Sequence, residues 1–343
     1  MDPLVSVIIP AYNHSAYLVE TIESVVAQDY PHMELLVVDD GSTDNTYEKL
    51  LQLKEKYCLR FVRFEVSTQR NCGLSATLNK LLFNSRGEYV TSTATDDKMK
   101  YNLVTRLVGF LEANKSYVMA VGDNEIIDSK SNRIAWDVFQ NAVQYKSFGS
   151  YSTFASFLMM RSPSFDFNSD IYGSYEELLR GNHVLNGFVV RRSALLQASG
   201  YNSLAPLEDW YMALQLSKLG KIKFINEVLF SYRWHCNNSV RQKRMMEKYC
   251  AATLRYEIDS VYASGDNERI RQVESIITRV LPICRISNIF KVVLTRRIDE
   301  FLLHISLFNG VLRLDLAKFV PLRFLFTIRD YYNMLFRYQS NVR

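Results

Sequence analysis

The sequence predicts an α/β protein with a parallel, doubly wound sheet, and two observations carry this prediction. Short, largely apolar runs such as Val5–Ile9 and Glu34–Val38 alternate with longer segments of helical periodicity. Such runs are typical of buried parallel strands, and the alternation of strand and helix is what a parallel sheet requires. Polar residues also follow successive strands, at the edge where such sheets bind ligands.

The first half of the chain is expected to contain five strands separated by four helices. Ser15 is predicted to cap the first helix, which ends near Ala27. The strands are predicted over 5–9, 34–38, 59–64, 88–94 and 117–121, and the helices over 15–27, 44–56, from about 75, and over 101–113.

The second half is predicted to leave this alternation. A hairpin is expected over 126–134, a loop over 151–171, a strand over 186–190, a helix from 209 to 219, and strands over 222–225 and 228–234. The loop either closes over a ligand or is an ordinary buried loop. Helices then follow over 242–263, 267–281 and 287–307. We therefore expect an α/β domain over residues 1–240 and an all-α region over 241–343.

The charge of the chain is concentrated in its last 59 residues. Ten Lys or Arg and four acidic residues lie in 285–343, a net charge of +6, whereas the whole chain carries +5. A basic tail alone argues against a nucleic-acid-binding protein. Its basic, amphipathic helices could pack on the α/β domain, form a homo-oligomer or contact an anionic membrane surface, and we favour a packed subdomain whose basic side faces the membrane.

The composition indicates a globular, cytoplasmic protein. The chain is 48% hydrophobic and 22% charged, and it lacks both a signal-peptide pattern and a run of 18 apolar residues. Its five cysteines show no metal-binding spacing, as expected of reduced thiols.

The polar residues at the strand ends predict a nucleotide site. They are Asn13, Asp39, Asp40, Arg70, Asn71, Asp96 and Asp97. Neither GxGxxG after the first strand nor GxxxxGK[ST] is present, so a bound diphosphate needs another source of positive charge. Adjacent Asp96 and Asp97 repel each other unless a positive charge joins them, which predicts a hard divalent cation at this pair. A turn or a helix cap is the structural alternative for either aspartate.

Four segments resemble, in order and spacing, the motifs of family 2 glycosyltransferases, which are inverting enzymes with the GT-A fold. They are Val5-Ser-Val-Ile-Ile-Pro-Ala-Tyr-Asn13, Val38-Asp-Asp-Gly-Ser-Thr-Asp44, Arg70-Asn-Cys-Gly-Leu-Ser75 and Ala94-Thr-Asp-Asp97. The resemblance covers about residues 4–240. It implies a GT-A catalytic domain over 1–240.

The resemblance also implies roles for these residues toward a UDP-sugar donor. Asp39 would read the uracil edge, and Pro10, Tyr12 and Arg70 would frame the nucleoside. Asp96 would lie near the ribose and diphosphate, and Asp97 would bind Mn²⁺ or Mg²⁺. Many members of the family place a further Asp where this chain has Ala94.

Two later segments are similar to further family motifs. Glu208 and Asp209 either complement the dipole of the helix they begin or supply the base that deprotonates an acceptor hydroxyl. The resemblance assigns the base to Asp209, with Glu208 as the near alternative. It also places Arg233 and His235 at the diphosphate, with His235 as a second metal ligand. A lone His is otherwise more often a packed or surface residue.

The sequence therefore predicts an inverting, non-processive transfer of sugar from a UDP-sugar to an oligosaccharide or lipid-linked acceptor. Synthesis of a bacterial surface polysaccharide at the inner face of the cell membrane fits this reading. The gene product could instead be a nucleotidyltransferase, or an inactive glycan-binding or scaffold protein. A nucleotidyltransferase is expected to have a glycine-rich basic first loop, which Pro10–Asn13 is not.

Overall fold

The computed structural model describes residues 2–162 and 165–280. The chain divides into two compact units whose segments alternate in sequence. Among the described residues, the first unit contains 2–162, 165–174, 184–203 and 215–235, and the second contains 175–183, 204–214 and 236–280. The predicted domain boundary at residue 240 stays a prediction.

The described residues contain ten strands and ten α-helices. The strands are β1 (Val5–Ala11), β2 (Met33–Asp39), β3 (Arg63–Thr68), β4 (Tyr89–Ser92), β5 (Lys98–Met99), β6 (Tyr117–Ile127), β7 (Arg133–Trp136), β8 (Ala142–Gln144), β9 (Phe188–Arg191) and β10 (Lys221–Arg233). The helices are α1 (Leu18–Val26), α2 (Thr46–Tyr57), α3 (Leu74–Asn84), α4 (Leu103–Ala113), α5 (Phe154–Arg161), α6 (Tyr175–Leu178), α7 (Arg192–Gln197), α8 (Glu208–Leu216), α9 (Lys243–Ser264) and α10 (Asn267–Val280).

The strand order is β3-β2-β1-β4-β9-β6-β10-β5, with β7 and β8 attached to β6 as an antiparallel extension. Strand β1 is parallel to β2 and β4, β2 to β3, and β6 to β10. Strand β9 is antiparallel to both of its neighbours, so β4 and β6 on either side of it run in the same direction. The α/β fold that the sequence predicts is confirmed, and the sheet of the described residues is mixed, with parallel pairs among β1–β4 and between β6 and β10.

The core of the first unit lies on the buried faces of this sheet. Strands β1 and β2 are buried along almost their whole length. Helix α1 contributes Leu18, Ile22 and Val25, all fully buried, at the spacing of one helical face. Each such side chain contributes about 1.5–3 kcal/mol relative to an exposed one. This packing fixes the strand ends that carry the polar residues.

Two predicted element boundaries were wrong. Ser15 does not cap α1: its backbone N–H donates to Oδ2 of Asp44 across 3.1 Å, and the residue at the cap position is Tyr17. The third strand begins at Arg63 rather than at residue 59, because Cys58–Arg60 form a further helical turn. The guanidinium of Arg60 holds that turn by donating to backbone carbonyls such as that of Val26, at 2.9 Å.

The middle of the chain is more regular than the sequence predicts. Part of the expected loop over 151–171 is helix α5, which begins with a reciprocal pair of hydrogen bonds between Thr153 and Ser156. The two strands expected over 222–225 and 228–234 are one strand, β10, with irregular register beside β6. The hairpin expected over 126–134 is confirmed by β6 and β7.

Helices α9 and α10 confirm the first two helices predicted after residue 241. The predicted helix over 287–307, the basic tail and its membrane contact lie outside the described residues. None of the helices in the described ranges combines the length and apolar character needed to cross a membrane.

Candidate active site

Asp39 ends β2 and lies opposite Ala11, the last residue of β1. Its side chain is buried, and its Oδ2 accepts hydrogen bonds from the backbone N–H of Ser42 at 3.2 Å and the hydroxyl of Thr68 at 3.0 Å. Its Oδ1 is buried and has no hydrogen-bond partner among the described residues. A buried carboxylate oxygen left unpaired is unfavourable, so this atom is suited to accept from an N–H of a ligand.

Asp40, in contrast, is fully engaged by the protein. Its Oδ1 accepts from Nε2 of Gln69 at 2.8 Å and from the backbone N–H of Cys72 at 2.9 Å, and its Oδ2 accepts from the N–H of Gly73 at 2.9 Å. Burial opposes ionisation of Asp40, but these hydrogen bonds outweigh it and hold its pKa below the ordinary value. Asp40 therefore fixes the loop before α3.

That loop carries the predicted residues Arg70 and Asn71, both exposed. It passes very close to Gly41, where an added Cβ would lie 2.9 Å from the backbone nitrogen of Asn71. Gly41 also has a φ of +78°, in the left-handed region that favours glycine. The sequence Asp-Asp-Gly thus brings the ends of β2 and β3 together.

The loop after β1 carries the other predicted nucleoside contacts. Pro10 is part of β1, Tyr12 is 46% exposed, and Asn13 has a φ of +54°. Oδ1 of Asn13 accepts from the backbone N–H of Thr43 at 2.8 Å. This bond joins the loop to the segment that follows Asp39.

Asp96 and Asp97 follow β4, on the other side of β1 from Asp39. Both are buried. Oδ1 of Asp97 accepts from the backbone N–H of Arg233 at 2.8 Å, and its Oδ2 accepts from Nδ2 of Asn186 at 3.2 Å. The hydroxyl of Thr21 donates to the carbonyl of Asp97 at 2.7 Å. We call Asp96 and Asp97 the aspartate corner.

The two carboxyls of the aspartate corner differ in ionisation. Burial, followed by the charge of Asp96, raises the pKa of Asp97 well above its ordinary value. Burial also opposes ionisation of Asp96, but the hydrogen bond from His235 and the neighbourhood of His14 outweigh it, and the pKa of Asp96 lies below its ordinary value. Asp96 thus loses its proton more readily than Asp97, and a cation at the pair would favour ionisation of Asp97.

The corner fits a divalent cation held partly by a substrate. Within residues 2–162 and 165–280, no group of three His, Cys, Asp or Glu side chains is placed to hold a metal ion. Mg²⁺ and similar hard cations commonly bind through one or two carboxylates together with substrate phosphates. Asp97, buried and in need of positive charge, matches such a ligand, and each of its oxygens has a lone pair left. The cation would neutralise a diphosphate and stabilise it as a leaving group.

Arg233 is fully buried at the end of β10. Its Nε donates to the carbonyl of Asp96 at 2.6 Å, and its guanidinium carbon lies 4.6 Å from the ring centre of Tyr17. His235 places Nε2 3.0 Å from Oδ2 of Asp96. Both residues thus hold Asp96, and their predicted roles at the diphosphate and metal stay predictions.

Glu208 and Asp209 lie in the second unit, in the first turn of α8. Burial, then the charge of Asp209, raises the pKa of Glu208 to about 8, and burial raises the pKa of Asp209. Oδ1 of Asp209 accepts from the backbone N–H of Trp210 at 2.6 Å, and Asn182 also donates to its carboxylate. A carboxylate with a raised pKa is a stronger base than an ordinary one.

The sequence does not predict several residues that interact with the aspartate corner, notably Thr21, Asn186 and His14. Thr21 is a polar residue on the apolar face of α1, which was an available signal. Asn186 precedes Gly187, whose φ is +72° and where an added Cβ would lie 2.6 Å from the ring of Phe230. Nδ1 of His14 lies 2.6 Å from the hydroxyl of Thr95, a contact that no pattern predicts.

Residues 6–166 match the family model described as Glycosyl transferase family 2. Over this range the chain is similar to that family. The four motifs that carry the resemblance fall within this range, apart from Val5, the first residue of the first motif. The matched range thus contains Asp39 and the aspartate corner, whereas Glu208, Asp209, Arg233 and His235 lie beyond it.

Curated relatives share this part of the chain. An uncharacterized glycosyltransferase of Rickettsia typhi is 35% identical over 135 residues, which are 39% of this chain and 40% of that protein. A putative teichuronic acid biosynthesis glycosyltransferase, TuaG of Bacillus subtilis, is 39% identical over 109 residues, 32% of this chain and 42% of that protein. The chain thus spans less than half the length of these relatives.

Two solved structures share the fold. A mannosyltransferase from Pyrobaculum calidifontis in complex with GDP-Man and Mn²⁺ has a TM-score of 0.57 and 16% identity, over 96% of this chain and 85% of that one. TarS 1-349 of S. aureus in complex with UDP-GlcNAc has a TM-score of 0.52 and 19% identity, over 74% of this chain and 66% of that one. The chain therefore has the GT-A fold that the sequence predicts.

Proposed function

We propose that this protein is an inverting, non-processive glycosyltransferase that moves a sugar from a UDP-sugar to a hydroxyl of an acceptor glycan, in the synthesis of a surface polysaccharide. The observation that carries the proposal is the pairing of two features at one edge of the sheet. Asp39 offers an unpaired, buried oxygen on one side of β1, and the aspartate corner lies on the other. A nucleoside and its diphosphate need such a pair of sites.

Asp39 supports uracil as the base. An acceptor oxygen with no partner suits the N3–H of uracil, and guanine also has N–H donors on its pairing edge. The solved relatives contain UDP-GlcNAc in one case and GDP-Man in the other. The motif resemblance favours UDP.

The leaving diphosphate requires positive charge. Mn²⁺ or Mg²⁺ bound by Asp97 would supply it, and a relative with the same fold contains Mn²⁺. We assign Arg233 the role of positioning the aspartate corner rather than that of contacting the diphosphate. Its Nε–H already donates to the carbonyl of Asp96, and its side chain is fully buried.

We assign the proton transfer to Asp209. An acceptor hydroxyl that attacks the anomeric carbon must lose its proton, and Asp209 has a raised pKa suited to receive it. In a single displacement the hydroxyl oxygen bonds to the anomeric carbon as the bond to the diphosphate breaks, which inverts that carbon. The released nucleoside diphosphate carries the electron pair of the broken bond.

The test is release of nucleoside diphosphate from a panel of UDP- and GDP-sugars, with and without Mn²⁺. Metal-dependent release of UDP supports the proposal, and release of GDP corrects the base. Formation of pyrophosphate from UTP and a sugar phosphate would instead show a nucleotidyltransferase. Binding of UDP without release from any donor, over a panel of acceptor glycans, would favour a glycan-binding protein.

A further inference from the structure

Helix α1 contacts the aspartate corner through two consecutive residues. The hydroxyl of Thr21 donates to the carbonyl of Asp97 at 2.7 Å, and Thr21 is fully buried. Its neighbour Glu20 accepts from Nη2 of Arg233 at 3.2 Å, and Nε of the same guanidinium donates to the carbonyl of Asp96. The backbone of both aspartates is thus tied, directly or through Arg233, to one turn of this helix.

The guanidinium of Arg233 requires a counter-charge. It is always ionised, and its side chain has no exposed surface. Its Nη1 donates to neutral groups, the carbonyl of Asp128 at 3.2 Å and the hydroxyl of Ser131 at 2.9 Å. Glu20 supplies a carboxylate to it.

Glu20 is held in place for this contact. The hydroxyl of Ser131 donates to its Oε2, and Nζ of Lys98 lies 3.1 Å from the same oxygen. Burial opposes the ionisation of Glu20, but these donors and the charge of Arg233 outweigh it, so its pKa lies below the ordinary value. Glu20 is therefore an ionised carboxylate at neutral pH.

We propose that Glu20 is a positioning residue for the aspartate corner, acting through Arg233 with the help of Ser131. With Glu20 in place, a carboxylate balances the charge of Arg233. Without it, the same charge opposes a divalent cation at Asp97, and the carbonyl of Asp96 loses a fixed donor. The inference rests on the proposed function, because it concerns how the corner receives a metal bound with UDP.

The test is the affinity of the protein for Mn²⁺ in the presence of UDP, measured by electron paramagnetic resonance. Glu20→Gln keeps the size of the side chain and removes its charge. We expect it to weaken Mn²⁺ binding by about tenfold, the lower end of the range for residues that orient metal ligands. Glu23→Gln is the matched control, since Glu23 lies on the same helix and pairs instead with Lys56 and Tyr57.

A second variant separates positioning from stability. Ser131 has a φ of +66°, so Ser131→Gly removes the hydroxyl from the network at a backbone conformation that glycine prefers. We expect an unchanged or higher melting temperature together with weaker Mn²⁺ binding. A merely structural role would lower the melting temperature of Glu20→Gln and leave Mn²⁺ affinity of the folded protein unchanged.

The outcomes are distinguishable. Equal Mn²⁺ affinity in wild type, Glu20→Gln and Ser131→Gly would overturn the inference while leaving the proposed function intact. A wild-type protein that binds neither UDP nor Mn²⁺ would overturn the proposed function, and this inference with it. If Glu23→Gln weakens Mn²⁺ binding as much as Glu20→Gln does, the effect is a general one of charge, and this result would also overturn the inference.

Discussion

The backbone N–H of Arg233 donates to Oδ1 of Asp97 across 2.8 Å, although the two residues are 136 positions apart in the chain. This bond joins the end of β10 to the loop after β4. The carboxylate of Asp97 is enclosed by segments from distant parts of the chain, so little water reaches it when no ligand is bound. Its raised pKa follows from that isolation, and a cation bound there would favour the ionised carboxylate.

Asp97→Asn is expected to abolish metal binding. The amide removes the buried charge, but its NH2 group would face one of the two donors that now bind the carboxylate, Arg233 N–H or Nδ2 of Asn186, so the melting temperature should fall. Activity should fall by roughly 100- to 1,000-fold, the usual loss when one electrostatic contact to a developing charge is removed. Rates and melting curves check this. Asp259→Asn, at a surface ion pair with Arg255, is the control and should change neither.

Mn²⁺ and UDP should bind with positive linkage. Since the described residues offer no cage of three ligands, phosphate oxygens and water would complete the coordination of a cation at Asp97. We expect UDP to raise the affinity for Mn²⁺ by about tenfold or more, and Mn²⁺ to raise that for UDP by the same factor. Calorimetric titrations in both orders measure this. Independent binding would contradict the assigned role of Asp97.

Asp39→Asn should weaken UDP binding by about 10- to 100-fold, since a hydrogen bond to a charged acceptor contributes about 1.5–3 kcal/mol. The loss should be smaller for a ribose diphosphate without a base, because the substitution acts at the base. Asp40→Asn provides the contrast. Both carboxylate oxygens of Asp40 accept hydrogen bonds from the protein, so Asp40→Asn should lower the melting temperature more than Asp39→Asn does.

Asp209→Asn is expected to retain UDP affinity within about twofold and to reduce turnover by roughly 100- to 10,000-fold, the range for loss of a general base. Single-turnover measurements with saturating donor separate binding from chemistry. An unchanged rate would exclude Asp209 as the base. Glu208→Gln, measured in parallel, would identify the alternative if its loss is the larger one.

The raised pKa of Glu208 predicts that stability falls as the pH rises. The folded protein keeps this proton up to about pH 8, whereas the unfolded chain, with an ordinary pKa of 4.5, releases it earlier. The contribution of this proton to the free energy of unfolding is therefore fully present below about pH 4.5 and is lost as the pH rises to about 8. Because Glu208 is partly exposed and solvent screens its charge, we expect a loss on the order of 3 kcal/mol.

Glu208→Gln should flatten that dependence, because an amide binds no proton in either state. Denaturant unfolding at about pH 5 and pH 8 measures the difference. Glu268→Gln, on the exposed start of α10, is the matched control and should keep the slope of the wild type. Identical slopes in all three proteins would show that Glu208 ionises normally.

The sequence predicted the parallel part of the sheet well because its signal is local. Apolar runs such as Val5–Ile9 specify buried strands, and the register of β1 with β2 places Asp39 at the predicted edge. The contacts of the aspartate corner were not predictable in this way. Thr21, Asn186 and Arg233 reach it from three distant segments, and no periodicity encodes which distant side chain fills a given position.

Boundaries failed where tertiary contacts override local preference. Ser15 is a good cap residue by type, yet its N–H is used by Asp44, and α1 begins later. In the sequence, Glu20 is one acidic residue in the first turn of a helix, with nothing that marks it as functional. Its role depends on the burial of Arg233, which the tripeptide Tyr-Arg-Trp alone does not reveal.

Strand β9 has a consequence for how this protein is made. It lies between β4 and β6 but is encoded by residues 188–191, beyond the end of the family 2 match at residue 166. The two halves of the sheet therefore cannot join until the ribosome has passed that point. A fragment ending at residue 166 would leave β4 and β6 each with a bare edge, ready to pair with other chains, and should aggregate.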